Sequence, residues 1–166
     1  MSAMNEIYQW FSFAGQEAAL FIISMLPVIE LRGAVILGAA MNMPWYKVFV
    51  ISLLGNLLPI PFVLLFIKRV LYMLKRFPVF SGFIRWYEGK LVKGSERMGT
   101  ATFWALVLFV GIPLPGTGAW TGAGVAAILN VRLRQAFPAI VIGVLIAGVV
   151  MTAGAYGVVG ALRIFL

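Results

Sequence analysis

Apolar residues fill most of this chain in long blocks, and the polar residues fall at the breaks between them. Residues 5–17 (NEIYQWFSFAGQE) mix polar and aromatic side chains and suit a membrane interface. Residues 18–26 are apolar, but this length rises only ~14 Å as helix, about half a bilayer. Pro27 interrupts, Val28–Met41 is about another half-crossing long, and Asn42, Met43 and Pro44 end it. The pattern predicts two half-helices over residues 18–42, a re-entrant hairpin. Residues 45–67 then predict a full crossing, ~34 Å as helix. Trp45 and Tyr46 anchor one end and Lys68 and Arg69 the other. Pro59 and Pro61 should kink this helix, and Asn56 lies inside it as a polar residue.

The second half repeats the plan. Thr100–Ile112 is one arm, Pro113-Leu114-Pro115-Gly116-Thr117-Gly118 is a break, and Ala119–Leu129 is a returning arm of small residues. Small residues let helix backbones approach closely. Asn130 ends that arm, Arg132 and Arg134 follow, and residues 133–154 predict a second crossing, which the tail to Leu166 extends. A shift of 88 residues aligns Leu20–Leu64 with Leu108–Thr152 and gives 9 identities in 45 positions. Apolar composition inflates such a count, so the shared order of arm, Pro break, small-residue arm, Asn and long apolar run is the stronger sign. Duplicated membrane units with broken centres are how many secondary transporters are built, with the site at the break.

Composition agrees. The chain is 63% hydrophobic and 11% charged, with mean hydropathy +1.04, whereas a soluble domain is nearer half apolar and a quarter charged. The expected fold is an all-α integral membrane domain over residues 1–166. Repeat 1 covers 5–67, an amphipathic basic linker 68–97 and repeat 2 98–166, each repeat a re-entrant hairpin followed by a transmembrane helix. The chain has no His, Cys or Asp. That removes disulfides, thiol chemistry, the usual zinc and iron sites, Ser-His-Asp triads and aspartyl dyads. No metal and no cofactor is expected, and an enzyme is not.

Charge placement sets the topology. Residues 1–31 hold no Lys or Arg, while residues 68–97 hold eight. By the positive-inside rule the linker is cytoplasmic. The first hairpin then opens outward and the second inward. Ten of the 13 basic residues are cytoplasmic, Arg32 is buried, and Lys47 and Arg163 are external. The two repeats are therefore inverted, in a multi-pass protein of the inner membrane. Aromatic residues lace the basic linker (Phe77, Phe80, Phe83, Trp86, Tyr87). Between membrane segments this mix points to an anionic lipid surface rather than nucleic acid. The rival layout is five or six plain spanning helices, but the 113–118 break fits lipid-facing helix poorly.

Glu30 and Arg32, in LPVIELRG at the start of a half-helix, carry the chemistry. A charge at mid-membrane costs at least ~2.5 kcal/mol and marks a functional candidate. Residues i and i+2 do not face each other on a regular helix, so a local pair needs a non-helical turn, which Pro27 would supply. Arg32 offers a fork of donors suited to phosphate or carboxylate, and the half-helix N-terminus adds positive dipole. Burial works against the charged form of Glu30 and the guanidinium works for it, a balance that suits proton exchange. At the second break, Gly116 and Gly118 free the backbone and Thr117 adds a hydroxyl. The alternative there is a plain tight turn. Trp120 and Thr121 would line the same cavity, although Trp120 also suits lipid or packing. Asn42 and Asn130 read as helix C-terminal residues. Asn56 is expected to hydrogen-bond to a hairpin.

LPVIELRGAVILGAAMNMPWYKVFVISLLGNLLP and GIPLPGTGAWTGAGVAAIL make the chain resemble the small multidrug export protein family of bacteria and archaea. That family looks distantly related to the DedA superfamily, with paired re-entrant hairpins in inverted repeat. The resemblance implies a proton-coupled transporter or a lipid scramblase-like protein, with Glu30 and Arg32 as counterparts of important acidic and arginine residues. No Asp exists to match the acidic Asp of DedA proteins.

The leading expectation is transport or flipping of an anionic amphiphile such as a lipid phosphate, coupled to protons. Arg32 is the anion contact and Glu30 the coupling group; Pro27, Pro113, Pro115 and Asn56 complete the candidate site. Efflux of cationic small drugs through Glu30 and a non-transporting scaffold are the alternatives. Membrane lipids, a small-molecule or lipid substrate and protons are the expected partners, with a homodimer.

Overall fold

The computed structural model describes residues 15–74, 97–114 and 116–165. The interfacial segment before residue 15, residues 75–96 of the basic linker, Pro115 and Leu166 lie outside them. Every regular element among the described residues is helical. α1 covers residues 15–25. α2 (Glu30–Ala40), α3 (Trp45–Leu57), α4 (Ile60–Leu74), α5 (Arg97–Gly111), α6 (Ala119–Ile128) and α7 (Leu133–Phe165) follow. Two stretches are long and apolar enough to cross a membrane, Trp45–Ile67 and Leu133–Val158.

The expected elements form. α1 and α2 are the two short arms around Pro27, each ~16 Å long. The first crossing is interrupted by a turn at residues 58–59, where Pro59 and Pro61 withdraw two backbone donors. The basic stretch begins as helix, since α4 continues to Leu74. α7 extends eleven residues past the predicted end at 154.

The described helices divide into two compact units, and neither is one half of the sequence. Unit 1 holds residues up to Pro59 together with 144–166, and unit 2 holds Ile60–Gly143. Each unit therefore combines one hairpin with parts of both long helical stretches.

In unit 1, α2 packs along α3. Gly38 leaves room for Val48, and Gly55 lies against the Phe21 carbonyl and the Ser24 side chain. Lys47 pairs with Glu17 at 2.8 Å. α1 therefore runs parallel to α3 from Glu17–Lys47 to Ser24–Gly55, and α2 returns antiparallel. Both ends of the hairpin lie at the Trp45 end of α3, with its tip near Gly55. The second part of α7 joins them: Gly148 sits on Phe49 and Leu31, and the Tyr156 hydroxyl donates to the Met43 carbonyl at 2.7 Å.

In unit 2, α6 packs against α4 and α5. Gly122 lies against Val110, and Gly143 against Val110 and the Val107 carbonyl. Its core is Ile60, Leu64, Val107, Val110, Ile140 and a run of alanines. Outward-facing Phe62 and Phe66 are exposed, as a lipid-facing surface requires.

The backbone repeats across the 88-residue shift. Asn42 and Asn130 both take the left-handed conformation, at φ 57° and 53°. Asn42 N donates to Ala39 O and Met43 N to Gly38 O; Asn130 N donates to Ala127 O and Val131 N to Ala126 O. These are two copies of the Schellman helix stop, in which Asn tolerates the left-handed position. The next helix begins alike: the Lys47 and Val48 amides donate to Pro44 O, and those of Gln135 and Ala136 to Arg132 O. Asn42 and Asn130 are helix C-terminal residues, as expected.

Candidate functional site

The two hairpin tips differ. At the first, residues 26–29 form a turn after α1, the Leu26 amide donates to Ile23 O and the Glu30 amide to Leu26 O. Pro27 is exposed and starts the break. Glu30 itself is left-handed, at φ 51°. That conformation costs a non-glycine residue about 1–2 kcal/mol and persists only where the surroundings enforce it. Glu30 is also buried, with 7% of its surface exposed. Arg32 is half-buried and interacts electrostatically with Glu30. The departure from helical geometry that lets positions i and i+2 interact thus lies at Glu30, one turn beyond Pro27. Gly33 completes the motif, because a Cβ there would overlap the Ile29 side chain.

The second tip is closed on itself. The Thr117 hydroxyl lies 2.9 Å from both Ile112 O and Leu114 O, to which it donates. The Thr117 amide donates to Leu114 O and the Leu114 amide to Ile112 O. Gly116 takes φ 81°, a glycine position, and Pro113 precedes it on partly exposed backbone. Gly118 is extended and caps α6. Thr121 Oγ1 donates back to Gly118 O at 3.2 Å, and Trp120 is half-buried beside it. This is the tight turn that the sequence left as an alternative, with Thr117 tying it together.

Pro27, Glu30, Arg32 and Asn56 thus belong to unit 1, and Pro113, Gly116, Thr117, Gly118, Trp120 and Thr121 to unit 2. Asn56 departs from expectation: it is 2% exposed, yet its Oδ1 accepts no hydrogen bond from the described residues. Val48 and Gly55 share its side of α3 and pack on the hairpin, so Asn56 lies level with the tip without being bonded through that oxygen.

Sequence reading missed two residues of the same kind. Ser52 Oγ and Thr152 Oγ1 are also buried without a partner among the described residues. The buried polar or charged residues described are Ser24, Glu30, Ser52, Asn56 and Thr152, and all five belong to unit 1. Their positions 88 residues away are Ile112, Gly118, Ile140, Val144 and Leu64. Reading the two copies against each other for polar-to-apolar exchanges would have found them. Among the described residues no three His, Cys, Asp or Glu side chains group as metal ligands.

A family model described as "Putative small multi-drug export protein" matches residues 30–150, which is 121 of the 166 residues. The match starts at Glu30 and includes both helix stops. No curated protein and no solved structure matches the chain.

Proposed function

We propose, from the premise that this chain belongs to the small multi-drug export protein family, that it moves an anionic amphiphile such as a lipid phosphate across a membrane in exchange with protons. Its family and its two apolar helices make it a membrane protein. The observation that carries the reading is Glu30: a carboxylate buried in an apolar core, on strained backbone, beside Arg32. An intramembrane charge on enforced geometry is the signature of a working residue. Arg32 is the anion contact and binds phosphate oxygens as a fork. Glu30 competes for the guanidinium when ionised and releases it when protonated, so anion binding and protonation are linked. The hairpins re-enter the membrane in inverted repeat, residues 68–97 face the cytoplasm of a multi-pass inner-membrane protein, and two copies enclose the pathway. The matching helix stops and the half-bilayer arm lengths support this layout.

A second reading has one observation in its favour, the multi-drug export description of the family. There Glu30 binds a cationic drug and Arg32 is displaced. Proteoliposomes carrying a fluorescent phospholipid phosphate separate the two. Loss of headgroup movement in Arg32→Ala supports the anion reading. Unchanged movement of a cationic dye in Arg32→Ala, with loss in Glu30→Gln, supports the drug reading.

A further inference from the structure

Three polar atoms in unit 1 are buried without a partner among the described residues: Ser52 Oγ, Asn56 Oδ1 and Thr152 Oγ1. Each such atom costs about 1–3 kcal/mol if it stays unsatisfied, and ordered water is the usual answer. Their placement follows from contacts already described. α2 is antiparallel to α3, and counting from the Gly38–Val48 contact brings Glu30 level with Asn56. α7 is antiparallel to α3 as well: Gly148 meets Phe49 and Tyr156 reaches Met43. Thr152 lies between those two contacts on the same face, turned into the α2–α3 pair and level with Tyr46. Ser52 is one turn above Asn56, on the face that carries Val48 and Gly55 to the hairpin.

The three oxygens are therefore strung out, not gathered. Thr152 to Ser52 is about 9 Å along α3 and Ser52 to Asn56 about 6 Å. A bound cation needs oxygens converging within a single shell, which this spacing does not give. Hydroxyl groups both donate and accept, so the spacing suits a file of water. We propose that unit 1 holds a hydrated proton path from its Trp45 end to Glu30, with Thr152, Ser52 and Asn56 as its polar stations; its role in coupling rests on the transport reading above. A proton enters beside the Lys47–Glu17 pair and Tyr156, passes along water O–H bonds, and forms an O–H bond on a Glu30 carboxylate oxygen. Arg32 is the charged neighbour there. The positions 88 residues away, Leu64, Ile140 and Val144, are apolar, so the repeat supplies no second set of stations.

The absence of cysteine makes the test direct. Single variants Ser52→Cys, Thr152→Cys, Val107→Cys and Leu64→Cys of the full chain are exposed to aqueous silver ion in proteoliposomes. Remaining thiol is then counted by fluorescent labelling after denaturation. Thiol reactivity follows exposure to water. Ser52→Cys and Thr152→Cys are expected to react about tenfold faster than the two apolar controls, which are equally buried. Equal rates at all four positions overturn the path. Either station carries the test alone if the other variant does not run as a single species. Transport by Glu30→Gln is measured separately. Equal silver rates with lost transport remove the path and keep the transport reading, whereas fast stations with intact transport keep the water path and remove its coupling role.

Discussion

The two hairpins are stopped by the same Schellman turn, at Asn42 and at Asn130, and each is pressed by a glycine of the following helix, Gly55 or Gly143. Around these shared joints the cores differ. Unit 1 buries Ser24, Glu30, Ser52, Asn56 and Thr152, while every buried residue reported for unit 2 is apolar or glycine. The joints are needed for any such hairpin to form, so both copies keep them. A buried polar group lowers stability wherever it stands, so the gathering of all five in one unit points to use. On the transport reading proposed above, unit 2 is scaffold and unit 1 machinery.

The largest effect expected is on transport. Glu30→Gln should lower headgroup movement at least about tenfold, whereas Thr117→Val at the second tip, where the hydroxyl bonds only within its own turn, leaves it near the native rate. The same position separates function from strain. Glu30→Gly removes the same charge as Glu30→Gln but accepts the left-handed backbone, so it should be more stable than Glu30→Gln by about 1 kcal/mol in thermal unfolding. Equal stability would mean the backbone at Glu30 is unstrained.

Next in size are the shared joints. Gly55→Ala and Gly143→Ala each push a Cβ toward a backbone carbonyl and should each cost about 1–3 kcal/mol. The two costs should match within error, and a large inequality would break the equivalence of the repeats.

The cores of the two units answer to hydroxyl exchange with different sizes. Leu64→Thr in unit 2 buries a new hydroxyl and should cost about 2 kcal/mol. Thr152→Val, its counterpart, removes a hydroxyl that no described residue bonds and should change stability by no more than about 1 kcal/mol. The smallest effect is at the helix stops, where Asn42→Gly and Asn130→Gly should both stay within about 0.5 kcal/mol of native.

The helices themselves were legible in the sequence because apolar segments announce themselves by length. The Pro27 break, the short arms, the long apolar stretch from Trp45 and the two Asn stops followed from apolar run lengths and turn residues. Glu30 and Arg32 stood out because a charge in an apolar run is rare. The left-handed backbone at Glu30 was not legible: Glu has no preference for it, and Pro27 drew the expected turn one step too early. Ser52 and Thr152 were missed because hydroxyls are common in apolar helices and usually bond to their own backbone. Burial without a partner is a property of packing, visible only once α3 and α7 are in place. Thr117 misled in the other direction, since its hydroxyl looked available and is spent on closing its own turn.

The most direct test of a working unit 1 and a structural unit 2 is headgroup movement of a fluorescent phospholipid phosphate in proteoliposomes, followed by an external quencher under a pH gradient. Native protein, Arg32→Ala and Thr117→Val are compared at equal reconstitution. Movement lost in Arg32→Ala and kept in Thr117→Val is the predicted result. Movement kept in Arg32→Ala, or lost equally in both variants, would contradict the assignment of function to the first hairpin.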